Sequence, residues 1–393
     1  MGDADHAVVA SRGAARIASG HPWVFRSDVV ERPRSPAPGI VGVRDPRGHR
    51  LGWALWSPRS EISLRVIDRN PAANIDTDWW RCRLQTAIAR RAPLAATATA
   101  YRLVYGEADG LPGLICDRYD QWLVVQLLHA AIDGLREMLV ATLVELTGAA
   151  GILARNDVAS RRREGLAAAV EVLAGDVPRE IEVREGAVRY LAAPWDGQKT
   201  GAFLDQREYR TLVGELARPG GRALDCFSYH GSFALHLAQR SASVVALDTS
   251  APALERGARN AALNGFTHIA FEERDAFAYL KSADRARERF DTVVLDPPAF
   301  AKTRSALPAA VRGYKEINLR GMRLLTPGGL LYTASCSHHL SQAEFLELLR
   351  AAASDSGRRL MLRAVLGQPS DHPEILTIPE TGYLKGALIE ALD

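Results

Sequence analysis

Cysteine is scarce in this chain: 4 in 393 residues. Cys82, Cys116, Cys226 and Cys336 lie far apart, with no C-x-x-C spacing and no metal-finger pattern. No metal site is expected, and a chain of this length needs no disulfide staples; reduced thiols in the cytoplasm fit best. No secretory leader is expected, because Met1-Gly2-Asp3-Ala4-Asp5-His6 has no basic stretch followed by an apolar one. Long uncharged apolar runs are absent. The most apolar long window, residues 135–154, carries Arg136, Glu137 and Glu145 and reads as an amphipathic helix, which argues against a membrane span. Residues 1–70 contain no lysine; their 11 arginines against 7 acids give an excess of +4, while the rest of the chain is nearly balanced. Such a module suggests an anionic partner, nucleic acid being the usual one, although an excess of this size is also common on solvated surfaces.

What is present is the composition of a folded protein, 47% hydrophobic and 24% charged, long enough for two or three domains. Residues 1–70 are punctuated by His21-Pro22, the run Pro33 to Gly39, Asp45-Pro46-Arg47-Gly48 and Ser57-Pro58, with short apolar runs between them. A small β-rich module is expected. From Asn70-Pro71 the spacing of Trp79, Trp80, Leu84, Ala87 and Ile88 predicts a helix behind the capping signal Asp76-Thr77-Asp78. Strands at 101–105, 113–118 and 121–128, a helix over 131–147, a strand at 151–155 and a strand pair at 180–184 and 187–191 make a second, α+β module. Beyond 220 apolar strands and amphipathic helices alternate, the pattern of a mostly parallel sheet covered on both faces. Ligands in such sheets sit beyond the carboxyl ends of strands. Chemistry is therefore expected after residues 227, 248, 272, 295 and 335.

Each of those five points carries polar groups. The first, Asp225-Cys226-Phe227-Ser228-Tyr229-His230-Gly231, is a tight strand–helix turn able to hold a polar ligand group on backbone N–H donors. Its single glycine departs from the G-x-G-x-x-G fingerprint and weakens a dinucleotide reading. At the second, Asp248 can accept hydrogen bonds from a ribose diol; Asp248-Thr249-Ser250 also reads as a helix cap, and both roles are compatible. The third, Arg274-Asp275-Ala276, offers a side chain and backbone to an adenine edge. Three acids at successive strand ends describe an adenosine-type ligand without a diphosphate, a description that S-adenosylmethionine meets. The fourth, Asp296-Pro297-Pro298-Ala299-Phe300, is a rigid turn whose prolines hold an extended backbone, able to present the Asp296 carboxylate to a planar base. The fifth, Ser335-Cys336-Ser337-His338-His339, puts a thiol beside two histidines ahead of a helix, neighbours that favour a thiolate. A free cysteine is more often an inert buried hydrophobe, the reading given to Cys226. His338 and His339 either serve the site or cap the following helix.

The chain closely resembles the large-subunit (23S) ribosomal RNA cytosine-5 methyltransferase family of the methyltransferase I type. The matching stretches are His21-Pro22-Trp23-Val24-Phe25, Tyr105-Gly106-Glu107-Ala108-Asp109-Gly110-Leu111-Pro112-Gly113-Leu114, Gln198-Lys199-Thr200-Gly201 through Leu204-Asp205-Gln206-Arg207, Asp296 to Phe300, Gly313-Tyr314-Lys315-Glu316-Ile317-Asn318 and Ser335 to His339. The resemblance implies an N-terminal PUA domain (1–71), a central α+β domain (72–185) and a Rossmann-like class I methyltransferase domain (186–393). It implies a ribosomal RNA cytosine as substrate, Cys336 as the attacking thiol and Asp296 at the ring. The stretch from Phe203 to Gln206 resembles the segment that helps bind the methionine part of the cofactor. Family members often have Thr-Gly-Gly where this chain has His230-Gly231-Ser232.

Together these readings expect Phe203, Gln206, Asp225, Phe227, Ser228, Tyr229, Gly231, Asp248, Thr249, Asp275, Ala276, Asp296 and Pro297 around S-adenosylmethionine, with Cys336 and Asp296 catalytic. The partner is ribosomal RNA, naked or in an early particle; a monomer and a homodimer are both open. Methylation of an exocyclic amine, which also uses Asp-Pro-Pro-aromatic turns, and a catalytically idle RNA-binding assembly factor are the competing functions. Core packing of Trp23, Phe25, Trp53 and Trp56 is favoured over base stacking.

Overall fold

The computed structural model describes residues 5–301 and 303–393. The short runs between Pro and Gly breakers form β1 (His6–Val9), α1 (Ser11–Ala18), β2 (Trp23–Phe25), β3 (Val29–Glu31), β4 (Gly39–Arg44), β5 (Arg50–Trp56) and β6 (Ile62–Asp68). Their six-stranded sheet has the order β2-β6-β5-β4-β1-β3, and only β1 and β4 pair in parallel. Ala7, Val9, Val24, Val43, Ala54, Trp56 and Leu64 fill its core. Trp53 packs partly buried on the core of the next module, whereas Phe25 stays 36% exposed.

The second module contains α2 (Thr77–Arg91), β7 (Ala100–Tyr105), β8 (Leu114–Tyr119), β9 (Trp122–Leu127), α3 (Ala130–Gly134), α4 (Arg136–Thr147), β10 (Gly151–Arg155), α5 (Ser160–Arg163) and β11 (Val170–Gly175). Asp76 caps α2, its carboxylate accepting Trp79 N–H at 3.0 Å. The helix expected over 131–147 breaks at Leu135, just after Gly134, a poor helix former. Strand β11 escapes a reading of periodicity because it is an edge strand with Val170 and Val172 still exposed. A hairpin of β12 (Ile181–Glu185) and β13 (Val188–Ala192) follows, turning at Gly186 with φ +60°.

The chain forms two units. One holds the residues up to Val183 with Ala192–Leu204 and Ser370–Thr381; the other holds Arg184–Leu191, Asp205–Pro369 and Gly382–Asp393. The second unit comprises α6 (Arg207–Leu216), β14 (Arg222–Cys226), α7 (Ser232–Ala238), β15 (Ser243–Asp248), α8 (Ala251–Leu263), β16 (Ile269–Glu273), α9 (Ala276–Arg285), β17 (Phe290–Leu295), α10 (Leu307–Arg323), β18 (Leu325–Ser335), α11 (Gln342–Ser356), β19 (Leu360–Leu366) and β20 (Lys385–Ala391). Its seven-stranded sheet runs β16-β15-β14-β17-β18-β20-β19, parallel through β18, with β20 antiparallel to both neighbours. Apolar clusters cover both faces, which is why these strands read as nearly continuous apolar runs. Strand order reverses at β14, so the crevice beyond its carboxyl end is where a ligand is held in this architecture. Among the described residues, no helix is long and apolar enough to cross a membrane.

Candidate active site

The turn after β14 is strained. Phe227 and Tyr229 adopt φ of +65° and +50°, and Gly231 has φ +79°. Left-handed conformations at two non-glycine residues cost roughly 1–2 kcal/mol each, and such strain clusters at functional sites. At Gly231 a Cβ would meet the Phe271 ring at 2.8 Å, so a side chain there would force the ring to shift on top of the left-handed backbone. The departure at His230 is a packing one. Its buried ring stacks on Tyr190 with centroids 5.3 Å apart, and Asn260 Nδ2 donates to its carbonyl at 3.1 Å. Burial, helped by the Arg210 and Arg256 charges, pushes the imidazole down to about 3, so it is neutral.

Two carboxylates border this turn. Asp225 accepts Ala234 N–H at 2.9 Å on Oδ2; its buried Oδ1, like the buried Ser228 Oγ, has no hydrogen-bond partner among the described residues. Burial pushes the Asp225 carboxyl well above its ordinary range, and the charges of Asp296 and Asp248 add to the shift. Asp248 accepts Tyr229 N–H at 2.8 Å and Ser250 N–H at 2.9 Å, which ties the turn to the tip of β15. The cap of α8 is Ser250 and not Asp248; Thr249 is exposed between them. Asp275 caps α9, accepting Ala278 N–H at 2.8 Å, and Ala276 is buried behind it. Unpartnered buried oxygens fit a ligand rich in donors. S-adenosylmethionine brings an ammonium, ribose hydroxyls and a sulfonium charge, so the residues present suit that group.

Asp296 and Cys336 follow the neighbouring parallel strands β17 and β18, where Leu295 pairs with Thr333. Asp296 Oδ1 accepts from Gln206 Nε2 at 2.8 Å, and Gln206 Oε1 accepts from the fully buried Tyr332 hydroxyl at 2.7 Å. Gln206, expected at the cofactor's methionine end, is thus bonded to the Asp296 carboxylate. Pro297 is buried behind it. Phe300 packs on Tyr314 with ring centroids 4.5 Å apart, and Phe227 and Phe277 complete an aromatic cluster below the turn. Tyr314 Oη lies 3.0 Å from Ser337 Oγ, and Ala301 N–H donates to that same Oγ at 3.3 Å. The loops of Asp296 and Cys336 are therefore tied together.

Cys336 is partly exposed, while Cys116 and Cys226 are fully buried and burial pushes both thiols up. His338 stacks on Tyr383 at 5.3 Å; desolvation, then Lys385 and His339, lower its imidazole below the ordinary value. Neither His338 nor His339 caps α11: Ser341 does, in a capping box with Glu344. Phe203 belongs to the first unit, where the Lys199 ammonium lies 4.8 Å from its ring centre. Tyr332, Tyr314, Asn260 and Lys385 were not singled out from sequence as site residues. Only Tyr314 carried a signal, lying in the matching stretch Gly313 to Asn318.

Residues 102–384 match the model of the S-adenosylmethionine-dependent methyltransferase family, and residues 8–69 match a PUA-like domain. A ribosomal RNA large subunit methyltransferase I from Tolumonas auensis is 39% identical over 95% of this chain and 96% of its own length. Its namesake from Shewanella amazonensis is 40% identical over 93% and 94%. Among solved structures, a putative methyltransferase complexed with S-adenosylhomocysteine superposes with a TM-score of 0.84 at 19% identity, covering 98% of this chain and all of its own. A putative S-adenosylmethionine-dependent methyltransferase from Streptococcus mutans gives 0.82 at 19%, with the same coverage. At that identity the two structures speak for the fold alone.

Proposed function

Since the chain belongs to the ribosomal RNA large subunit methyltransferase I family of S-adenosylmethionine-dependent methyltransferases, we propose that it methylates C5 of a cytosine in large-subunit (23S) ribosomal RNA through a covalent Cys336 adduct. The observation that supports this reading is the pairing of a partly exposed thiol and a bonded carboxylate on tied loops after adjacent strands. Cytosine C5 is too weak a nucleophile to attack a methyl group unaided. The Cys336 thiolate adds to C6, the C5–C6 double-bond electrons shift, and C5 becomes enamine-like. Asp296, held by Gln206, stabilises charge at the ring edge by sharing a proton with N3. S-adenosylmethionine, when bound, supplies the methyl group for C5 as a sulfonium-activated electrophile. Asp225, Ser228 and Asp248 offer it acceptors, and the turn from Phe227 to Gly231 shapes its cradle. A base then removes the C5 proton, the double bond re-forms and the Sγ–C6 bond breaks, returning the thiolate. The neutral His338 is a candidate for that base.

The base must leave any stack to reach the thiol, so single-stranded or extruded RNA is the substrate form. The arginine-rich PUA-like module, with Arg32, Arg34, Arg47 and Arg50 exposed, supplies phosphate contacts that position the RNA. A ribosomal RNA substrate puts the enzyme in the cytoplasm. Replacing Cys336 with Ala is expected to abolish methyl transfer and leave S-adenosylmethionine affinity, read by calorimetry, unchanged. Transfer that survives the substitution overturns the covalent route and favours methylation of an exocyclic amine, which needs no thiol.

A further inference from the structure

The peptide carrying the proposed nucleophile is held from several sides. Ser337 N–H donates to Ser335 Oγ at 3.3 Å, and Ser337 Oγ is bonded by Tyr314 of α10 and by Ala301 N–H. The Ser337 carbonyl accepts from Lys385 Nζ at 2.6 Å. That ammonium also donates to the Tyr383 carbonyl at 2.6 Å. Lys385 opens β20, its Cα paired across the ladder with Ser335, so the cation is anchored on either side of Cys336 in sequence. It is only 8% exposed. Burying an ammonium is expensive, and a neutral donor could hold two carbonyls at lower cost. The charge is felt nearby: together with Arg304 it helps lower the Glu344 carboxyl of α11, after the Ser341 hydrogen bonds.

We propose that Lys385 is the positioning residue of Cys336, its ammonium fixing the Cys336–Ser337 peptide and supplying the positive charge that keeps the sulfur a thiolate. The proposal rests on the reading of Cys336 as nucleophile. Among the described residues, the titratable and charged groups around this loop include His338 and His339 within it, Tyr314 on α10, Tyr383 before β20, Asp296 after β17, and Glu344 on α11 with Arg304 acting on it. Lys385 and His339 both disfavour a charged His338. Lys385 is thus a cation bonded directly to the Ser335–Ser337 peptide. A cation near a thiol raises its thiolate fraction, and the thiolate is the species that adds to an electrophile.

The test reads the thiol directly, in the full-length protein without RNA. Alkylation of Cys336 by iodoacetamide is followed against pH by peptide mass spectrometry, with the exposed Cys82 on α2 as internal reference. The expected result is a Cys336 midpoint below that of Cys82. Lys385→Met and Lys385→Gln should each slow Cys336 alkylation at neutral pH roughly tenfold and move its midpoint upward, because the thiolate fraction falls by that factor per unit. Lys385→Arg should keep the wild-type profile. Gln retains a donor for the carbonyls, so it separates charge from hydrogen bonding if Met fails to fold. A Gln variant with the wild-type profile overturns the proposal, as does a wild-type Cys336 midpoint equal to that of Cys82. The two ideas fail separately. Surviving transfer in Cys336→Ala removes the nucleophile whatever Lys385 does, whereas an unmoved alkylation profile beside a dead Cys336→Ala removes only the role of Lys385.

Discussion

Asp225 combines a bonded oxygen, an unpartnered buried oxygen and two acidic neighbours. Its carboxyl is raised, so the native state favours the protonated form. The stability it contributes is present at low pH and lost as pH rises past the ordinary aspartate range through the folded value. At neutral pH the residue works against the fold, and a cationic ligand relieves it. Asp225→Asn should therefore raise the melting temperature of the cofactor-free protein at neutral pH and weaken S-adenosylmethionine binding by roughly 1.5–3 kcal/mol, the value of a hydrogen bond to a charged group. Thermal melting and calorimetry on the same sample check both signs; a variant that loses stability and keeps affinity would remove Asp225 from the cofactor site. Asp225 was legible because it ends an apolar strand before a glycine turn. Tyr332 was not, because a tyrosine inside an apolar strand reads as core until its hydroxyl is seen donating to Gln206, 126 residues away.

Among elements, β12, α6 and α7 are joined by a buried charge cluster. Arg210 donates to both oxygens of Glu185, at 2.8 and 2.6 Å. His236 Nε2 lies 3.1 Å from Glu185 Oε1, at ion-pair distance without hydrogen-bond geometry. Burial alone would raise the Glu185 carboxyl, but the Arg210 charge and hydrogen bonds, with His236, carry it from 4.5 down to about 2. A depressed acid contributes stability above its unfolded value, and here that share is lost as pH falls from 4.5 through about 2. Glu185→Gln leaves Arg210 buried without its counter-charge and should cost about 3–5 kcal/mol. Urea unfolding followed against pH should show a shallower acid-induced loss in the variant than in the wild type. Parallel pH profiles would detach the cluster from acid stability. From β14 to β19 the alternation of strands and helices was legible, because strands buried on both faces and helices with one apolar stripe announce themselves; α6 and the closing strand β20 were not read. Helix α1 was not: it has no side-chain cap and buries only Gly13 and Ile17.

At the scale of the molecule, the sequence placed chemistry after five strand ends, and the structure ends β14, β15, β16, β17 and β18 within a residue of each. Strand ends follow from the period of apolar residues, a local property. The bonds that complete the site, from Gln206 to Asp296 and from Lys385 to Ser337, span 90 and 48 residues. No local pattern encodes partners at such separations, so they emerge only once the sheet brings its strand tips together. The Arg-rich character of residues 1–70 was visible in composition, while the distribution of its aromatic rings between cores and surface was not. The most direct test of the whole account is nucleoside mass spectrometry of large-subunit ribosomal RNA treated with the protein and S-adenosylmethionine. 5-Methylcytidine is expected with the wild-type chain and none with Cys336→Ala. A methyl group found on an exocyclic amine, or 5-methylcytidine formed without the thiol, would contradict it.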